Sequence, residues 1–177
     1  MNLLLGSLLN FLYNELLTHV PWHGLRKTFL RIFNKKIHPT AVVLMHTRIL
    51  NFWKIEIGPR AIINQRCLLD CRRHQIRIEE DVDIGPYTKI WTEGHDPDSE
   101  AHALRGGDVV LKDHVWVASG VTILPGVTLE RGAVVAAASV VTKNVGTLEI
   151  VGGNPAKLIR MRHNPLHYQI NYRPILE

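Results

Sequence analysis

Residues 111–145, LKDHVWVASGVTILPGVTLERGAVVAAASVVTKNV, repeat with a period of six. Leu111, Val117, Ile123, Leu129, Val135 and Val141 mark one register. Four residues after each comes a small or β-branched one: Val115, Val121, Val127, Ala133, Ser139 and Val145. An amphipathic helix returns its apolar residues at three and four, and a half-buried strand alternates by two, so neither produces this pattern. A hexapeptide β-helix does, with each unit a short strand plus a corner and three units closing one triangular coil. The larger aliphatic fills the shaft, and the second position stays small because the chain turns tightly there. Coils pair along the axis, so each buries its faces only against neighbours.

The same phase runs backwards through Ile78, Ile84 and Ile90, with Val82 and Thr88 at small positions, and through Ile57, Ile63 and Leu69, with Ala61 and Cys67. Weaker units begin at Ile37, Val43 and Ile49. The phase slips around residues 51–54, around 71–75, and most widely between His95 and Val110, and these slips predict loops thrown out from corners. A chain of 177 residues is expected to form one domain around a long, narrow shaft. Two cysteines, Cys67 at a small shaft position and Cys71 in the next turn, make no disulfide framework and read as reduced thiols. A formal charge of +5 suits an anionic small ligand or an acidic membrane surface. No aromatic-interleaved basic stripe accompanies it, so nucleic acid is not an expected partner.

The opening MNLLLGSLLNFLYNELL is apolar but lacks a preceding basic region and a small-residue cleavage site. Asn10, Asn14 and Glu15 interrupt it before the roughly 20 residues that a membrane span needs. It is expected to be a helix ending before Pro21. A second amphipathic segment sets Leu25, Phe29, Leu30, Ile32 and Phe33 against Arg26, Lys27, Arg31, Lys35 and Lys36. Two roles are open to these helices, and they are compatible. One is to cover the open lower edge of the β-helix; the other is to rest the protein on an anionic membrane.

Three polar positions are candidates for chemistry. Asn64 directly follows a shaft residue and Asp70 stands one unit later, where a side chain by the corner can face a groove; spacing alone favours a plainer turn-capping or solvated role. His95 stands at the base of the longest excursion, in WTEGHDPDSEAHALRGG. Long loops on a compact repeat scaffold are usually functional, and histidine titrates near neutrality, which suits a general base.

Four segments in order, HDPDSEAHALRGG, VWVASGVTILPGVTL, GAVVAAASVVTKNV and IVGGNPAKLIRMR, resemble the left-handed β-helix acyltransferases of the galactoside, maltose and xenobiotic O-acetyltransferase group. The branch most resembled occurs in exopolysaccharide and colanic acid biosynthesis. The resemblance covers about Ile37 to Arg162, and left-handedness comes from it alone, since the general crossover rule is right-handed. It implies acetyl transfer from acetyl-CoA to a sugar hydroxyl, without a metal, in a homotrimer with active sites between subunits. It places His95 on the family's catalytic histidine, Asn64 on an acceptor-site asparagine and Asp70 near an acceptor-site aspartate. Trp116 matches a tryptophan beside the acyl-donor channel. Ser119, Ala137, Thr142 and Lys143 match contacts to the pantetheine arm and nucleotide, and Lys157 and Arg160 match basic residues that meet CoA phosphates. Where the family often has glycine after the shaft residue, this chain has Ala118, Glu130 and Ala136.

The expected fold is therefore all-β: a left-handed parallel β-helix of hexapeptide repeats over residues 37–162, an N-terminal helical cap over 1–36, a protruding loop around 96–110 and a C-terminal tail over 163–177. The expected location is cytoplasmic, with peripheral contact at the inner face of the membrane. The acceptor is expected to be a sugar or glycan unit, and the amphipathic N-terminus points toward a lipid-linked one. Three other readings stay open: N-acetylation of an amino sugar, a catalytically inactive scaffold, and a zinc protein like the γ-class carbonic anhydrases using His95, His102 and His114.

Overall fold

The computed structural model describes residues 3–176; residues 1, 2 and 177, at the ends of the expected cap and tail, lie outside them. The hexapeptide units wind into a left-handed prism of three parallel faces. The first face stacks Val42–Val43, Ile62–Ile63, Asp83–Ile84, Trp116–Val117, Val134–Val135 and Glu149–Gly153. The second stacks Arg48–Leu50, Leu68–Asp70, Lys89–Trp91, Thr122–Ile123 and Val140–Val141. The third stacks Ile55–Ile57, Ile76–Ile78, Val109–Leu111 and Thr128–Leu129. Each shaft residue pairs with the shaft residue of the next coil, as in Ile63, Ile84, Val117, Val135 and Val151. These columns, and the small positions from Ala61 to Val145, are buried. The sixfold pattern is thus the trace of side chains that alternately enter the shaft and line its corners.

All three slips of phase fall on one edge of the prism, between the second and third faces. The first holds a 3₁₀ turn at Phe52–Lys54 with Phe52 buried, the second a bend at residues 71–75, and the third a long arm. On that edge the chain can lengthen without disturbing the shaft.

The lowest coil leaves a row of unpaired backbone groups, and the N-terminal segments close it. They comprise helix α1 (Leu3–Phe11), a wide π-helical turn at Leu12–Leu16, a 3₁₀ turn at Leu17–His19 and helix α2 (His23–Phe33). Buried Asn14 behaves as a one-residue strand: its Nδ2 donates to the Ile49 carbonyl at 3.0 Å and its Oδ1 accepts the Ile49 N–H at 2.8 Å. Asn10 Oδ1 accepts from Asn51 at 3.1 Å, and Asn34 Nδ2 donates to the carbonyls of Phe52 and Ile55 at 2.7 and 2.8 Å. Asn14→Ala would leave both Ile49 groups buried and unpaired, which is expected to cost about 2 kcal/mol of stability; urea unfolding of the two proteins checks it.

The division of α2 into an apolar face and a cationic face is corrected by this edge. Leu30 is buried as expected, but so is Arg26, which donates to the carbonyls of Val20 and Val43. Lys27 donates to the Pro39 carbonyl at 2.9 Å and Arg31 to the Ile37 carbonyl at 3.2 Å, while Leu25, Ile32 and Phe33 face outward. The carbonyls of Val43, Val20 and Ile37 are wholly or partly buried and demand donors, and that demand outweighs the exposure of a few aliphatic carbons. Among the described residues no helix is long and apolar enough to cross a membrane.

At the upper end Glu149–Gly153 turns through Asn154–Pro155 into an antiparallel strand, Ala156–Met161, that extends the first face. The remaining tail runs back down the edge between the third and first faces. Arg162 donates to the carbonyls of His114 and Gly132 at 3.0 and 3.1 Å, Leu166 is buried over Gly132, and Ile170 N–H donates to Asp81 at 2.8 Å. Gly132 leaves room there: its φ is +71°, and a Cβ would lie 2.6 Å from the end of the Leu166 side chain, which would have to shift. The tail ends at the base, where Leu176 bridges to Trp22.

Candidate active site

The excursion expected as a loop around residues 96–110 is largely an ordered β-arm. Glu93–His95 pairs antiparallel with Leu104–Gly106, and His95 stands opposite Leu104. Its turn is tied by Asp96 Oδ1, which accepts from Asp98 at 3.1 Å, and by Ser99 Oγ, which accepts from Ala103 at 3.1 Å. The root is braced on the loop below. Thr92 Oγ donates to the Asp70 carbonyl at 2.7 Å, Gly107 N–H donates to the Thr92 carbonyl at 3.0 Å, and Gln75 N–H donates to Asp108 at 2.8 Å. Gly106 admits no side chain, since a Cβ would sit 2.4 Å from the Thr92 carbonyl oxygen.

This arm presents the His95 imidazole to the outside. Its ring stacks on that of His102, with centroids 3.7 Å apart and planes at 11°, and its Nδ1 lies 2.9 Å from the His102 carbonyl oxygen. A carbonyl only accepts, so Nδ1 carries the proton, and in the neutral ring Nε2 holds a free lone pair. The arrangement is a fixed, exposed base.

Asp70 shares the root of this arm, but its side chain is buried and occupied. Arg72 grips both carboxylate oxygens, Nε and Nη2 each at 2.9 Å, and the Arg72 N–H adds a third bond at 3.2 Å. Asp70 is thus placed to shape the loop beneath the arm. Thr142 and Lys143 lie exposed on the same edge, higher up the prism.

The other candidates lie a whole face away. Asn64, Ser119 and Ala137 fall at the edge between the first and second faces, and Ala138 N–H donates to the Ser119 carbonyl at 2.9 Å. Asn64 Nδ2 donates to Asp83 Oδ1 at 3.1 Å and to the Ile84 carbonyl at 3.0 Å. It lines a cavity of about 290 Å³ together with His46, Arg66 and Tyr172 of the tail. Burial, followed by the nearby charges of His19, Arg66 and Arg26, holds His46 below the usual imidazole range. On the first face Trp116, Val134, Ile150 and Arg160 form one outward column, and they line a cavity of about 420 Å³. Beside that column run Asn64, Gly85, Ala118, Ala136, Gly152 and Lys157, so a shallow track of small residues links Asn64 to an exposed lysine. Ala118, Glu130 and Ala136 avoid positive φ, so the fold tolerates them where glycine was expected.

Asp83 went unread in the sequence. It pairs with Trp116 in the ladder, it accepts from Asn64, and burial raises its carboxyl above the ordinary range. The signal available was a carboxylate at the strand position that Val42, Ile62 and Val134 fill with aliphatics. The three histidines weighed for zinc do not converge within one chain. His114 is buried at a different edge, against Tyr168 and Asp81, and among the described residues no group of three or more His, Cys, Asp or Glu is placed to hold a metal. Cys67 and Cys71 are buried free thiols, and burial first of all pushes Cys67 up to about 12, which makes it a poor nucleophile.

No family model matches the chain. WcaF of Escherichia coli K12, named for an acetyltransferase role in colanic acid biosynthesis, is 31% identical over 137 residues, which are 77% of this chain and 75% of that protein. The chain belongs to the hexapeptide-repeat acetyltransferases. A Saccharomyces cerevisiae protein named as an acetyltransferase is 36% identical over 103 residues, 56% of this chain and 52% of its own; the chain thus spans about half the length of that relative. The crystal structure of a hexapeptide-repeat acetyltransferase of Vibrio cholerae, complexed with acetyl coenzyme A, superposes with a TM-score of 0.74 at 27% identity, over 90% of this chain and 86% of that one. Within this hexapeptide-repeat acetyltransferase the candidate residues form two sets, one around the His95 arm and one from Asn64 to Arg160, that a single chain does not bring together.

Proposed function

We propose that the chain is an acetyl-CoA-dependent O-acetyltransferase that acetylates a sugar hydroxyl, with His95 as general base, in a homotrimer whose active sites lie between subunits. The observation that carries the reading is the His95 contact with the His102 carbonyl, which leaves a lone pair on an exposed, rigidly held ring. The split of candidates onto two edges supports sites shared between copies, each formed by the arm of one subunit facing the Asn64–Arg160 track of the next. Similarity to WcaF, named for colanic acid biosynthesis, supports a glycan acceptor, soluble or lipid-linked.

An alcohol is a weak nucleophile at neutral pH. As its oxygen attacks the thioester carbonyl carbon, Nε2 of His95 takes the hydroxyl proton. The tetrahedral intermediate then collapses with cleavage of the carbon–sulfur bond, and the imidazolium returns the proton to the departing CoA sulfur. No covalent enzyme intermediate is needed, because the thioester is already activated; alignment and a base suffice. Trp116 and the small residues beside it let the acyl donor lie close along the prism, and Lys157 and Arg160 meet its phosphates. Lysine supplies charge without the bidentate fork of arginine, so Arg160 carries more of the geometry.

Trp116→Ala and Arg160→Ala are each expected to raise KM for acetyl-CoA about tenfold with kcat changed by less than about threefold, since both contacts are made equally in ground and transition states; initial rates at varied acetyl-CoA check this. The reading as a whole is tested by thioester cleavage with acetyl-CoA and a panel of free and lipid-linked sugars. Turnover with a hydroxyl acceptor supports it. Absence of both CoA binding and turnover across the panel overturns it.

A further inference from the structure

The helices that close the base of the prism are apolar on their outer side as well as their inner one. Leu30 and, in part, Phe29 of α2 and Leu9 of α1 pack on the core and Arg26 reaches inward to the lowest coil, while Leu25 and Ile32 of α2 face away from the coils. Trp22, Leu25 and Ile32 on this segment and Leu5, Leu8 and Phe11 on α1 are all between 42% and 60% exposed. Single apolar side chains on a surface are ordinary, but five large ones on two short helices, with Trp22 just before the second, mark an interaction face.

Charge is concentrated at the same end. Residues 1–56, the cap and the lowest coil, hold seven Lys and Arg against two carboxylates, whereas the remaining 121 residues hold 14 of each. The whole formal excess of five therefore lies at the base. Both carboxylates there are already paired, Glu15 with Arg48 at 2.7 Å and Glu56 with Lys36 at 2.5 Å and Arg77 at 3.2 Å.

We propose that this base is a docking surface for an anionic lipid bilayer, with α1 and α2 lying in the headgroup plane. Large aliphatic and aromatic side chains on short helices reach the acyl boundary, and surrounding positive charge draws in anionic headgroups. A second copy would present the same positive excess and be repelled, so charge favours lipid over self-association. No described helix is long enough to span, which makes this a surface seat. The inference does not depend on acyl transfer.

Flotation of the full chain with vesicles of equal parts phosphatidylcholine and phosphatidylglycerol tests it. The native chain is expected to float with these vesicles and to bind pure phosphatidylcholine on the order of tenfold more weakly. The double variants Leu8→Ser/Phe11→Ser and Leu25→Ser/Ile32→Ser are each expected to lose on the order of tenfold in binding, with unchanged thermal midpoints because the sites are exposed. The proposal is overturned if the native chain stays unbound or if both variants float as it does. It is equally overturned if the variants instead lower the solution mass of a chain that ignores vesicles, since a second copy would then have covered the face.

Discussion

Replacing His95 by alanine is expected to lower acetyl transfer at least a hundredfold at saturating acetyl-CoA, with KM for acetyl-CoA changed by less than about threefold. A positioned base contributes about 10² to 10⁴ in rate, and it acts on the acceptor hydroxyl, so its loss is felt in turnover and not in donor binding. The arm itself should survive, because its pairing runs through the backbone of Glu93–His95 and Leu104–Gly106 and its root through Thr92 and Asp108. His102→Ala separates two roles within the pair. The backbone carbonyl that accepts from Nδ1 remains in that variant and only the stacked ring is lost, so its rate should fall by less than about tenfold. Comparable losses in the two variants would mean that His102 does more than orient its neighbour. An unchanged rate in His95→Ala, with acetyl-CoA still cleaved in the presence of an acceptor, would remove the general-base assignment.

The shaft was legible because the hexapeptide pattern is itself a geometric constraint. A shaft residue such as Ile123 recurs at six because each strand and corner carries the chain to the next face of the coil with an equivalent side chain pointing inward, and three units return it to the first face. The slips of phase were legible for the same reason, although nothing in the sequence told that all three fall on one edge, since that depends on how each unit is shared among three faces. The orientation of α2 could not be read from its own pattern. Arg26, Lys27 and Arg31 read as a solvated face until the unpaired carbonyls of Val43, Pro39 and Ile37 lie beneath them. Propensity and amphipathicity are local, whereas the demand for donors comes from an edge created by the whole repeat.

The candidate site was legible in part. His95 stood out because a titratable group sat where a rigid scaffold throws out its longest segment. Asp70 and Asn64 looked alike in spacing, but Asp70 meets Arg72 two residues on and is sealed, while Asn64 borders a cavity. That difference arises because the slip at residues 71–75 swings a guanidinium back over the strand end. Tyr172 at the Asn64 cavity was beyond reach of any local reading, since it arrives there only when the tail folds back along the length of the prism.

One buried carboxylate anchors the middle of that tail, and Asp81→Ala is expected to lower stability by about 3 kcal/mol and to loosen the segment beyond Arg162. Asp81 is buried and accepts three bonds, from Arg60 Nε at 2.8 Å, Arg60 Nη2 at 2.6 Å and Ile170 N–H at 2.8 Å. Removing it strands a partly buried guanidinium, which also touches Glu80, and a backbone donor of the tail. Because the Arg60 side chain is about a quarter exposed, the loss belongs at the low end of the range for broken buried pairs. Burial alone would raise the Asp81 carboxyl, but the Arg60 hydrogen bond, the Ile170 N–H and the charges of Arg60 and His114 outweigh it and hold the folded pKa below the ordinary 3.8. A depressed carboxylate contributes stability that is fully present above its unfolded pKa and is lost as pH falls through the lower folded value. The stability difference between native protein and Asp81→Ala should therefore be constant from neutral pH down to about 5 and shrink below about 4. Urea unfolding at several pH values measures this directly, and limited proteolysis reports the tail. If cleavage beyond Arg162 quickens in the variant while the coils remain protected, the carboxylate anchors the tail; if the whole chain is cut together, Asp81 supports the prism itself.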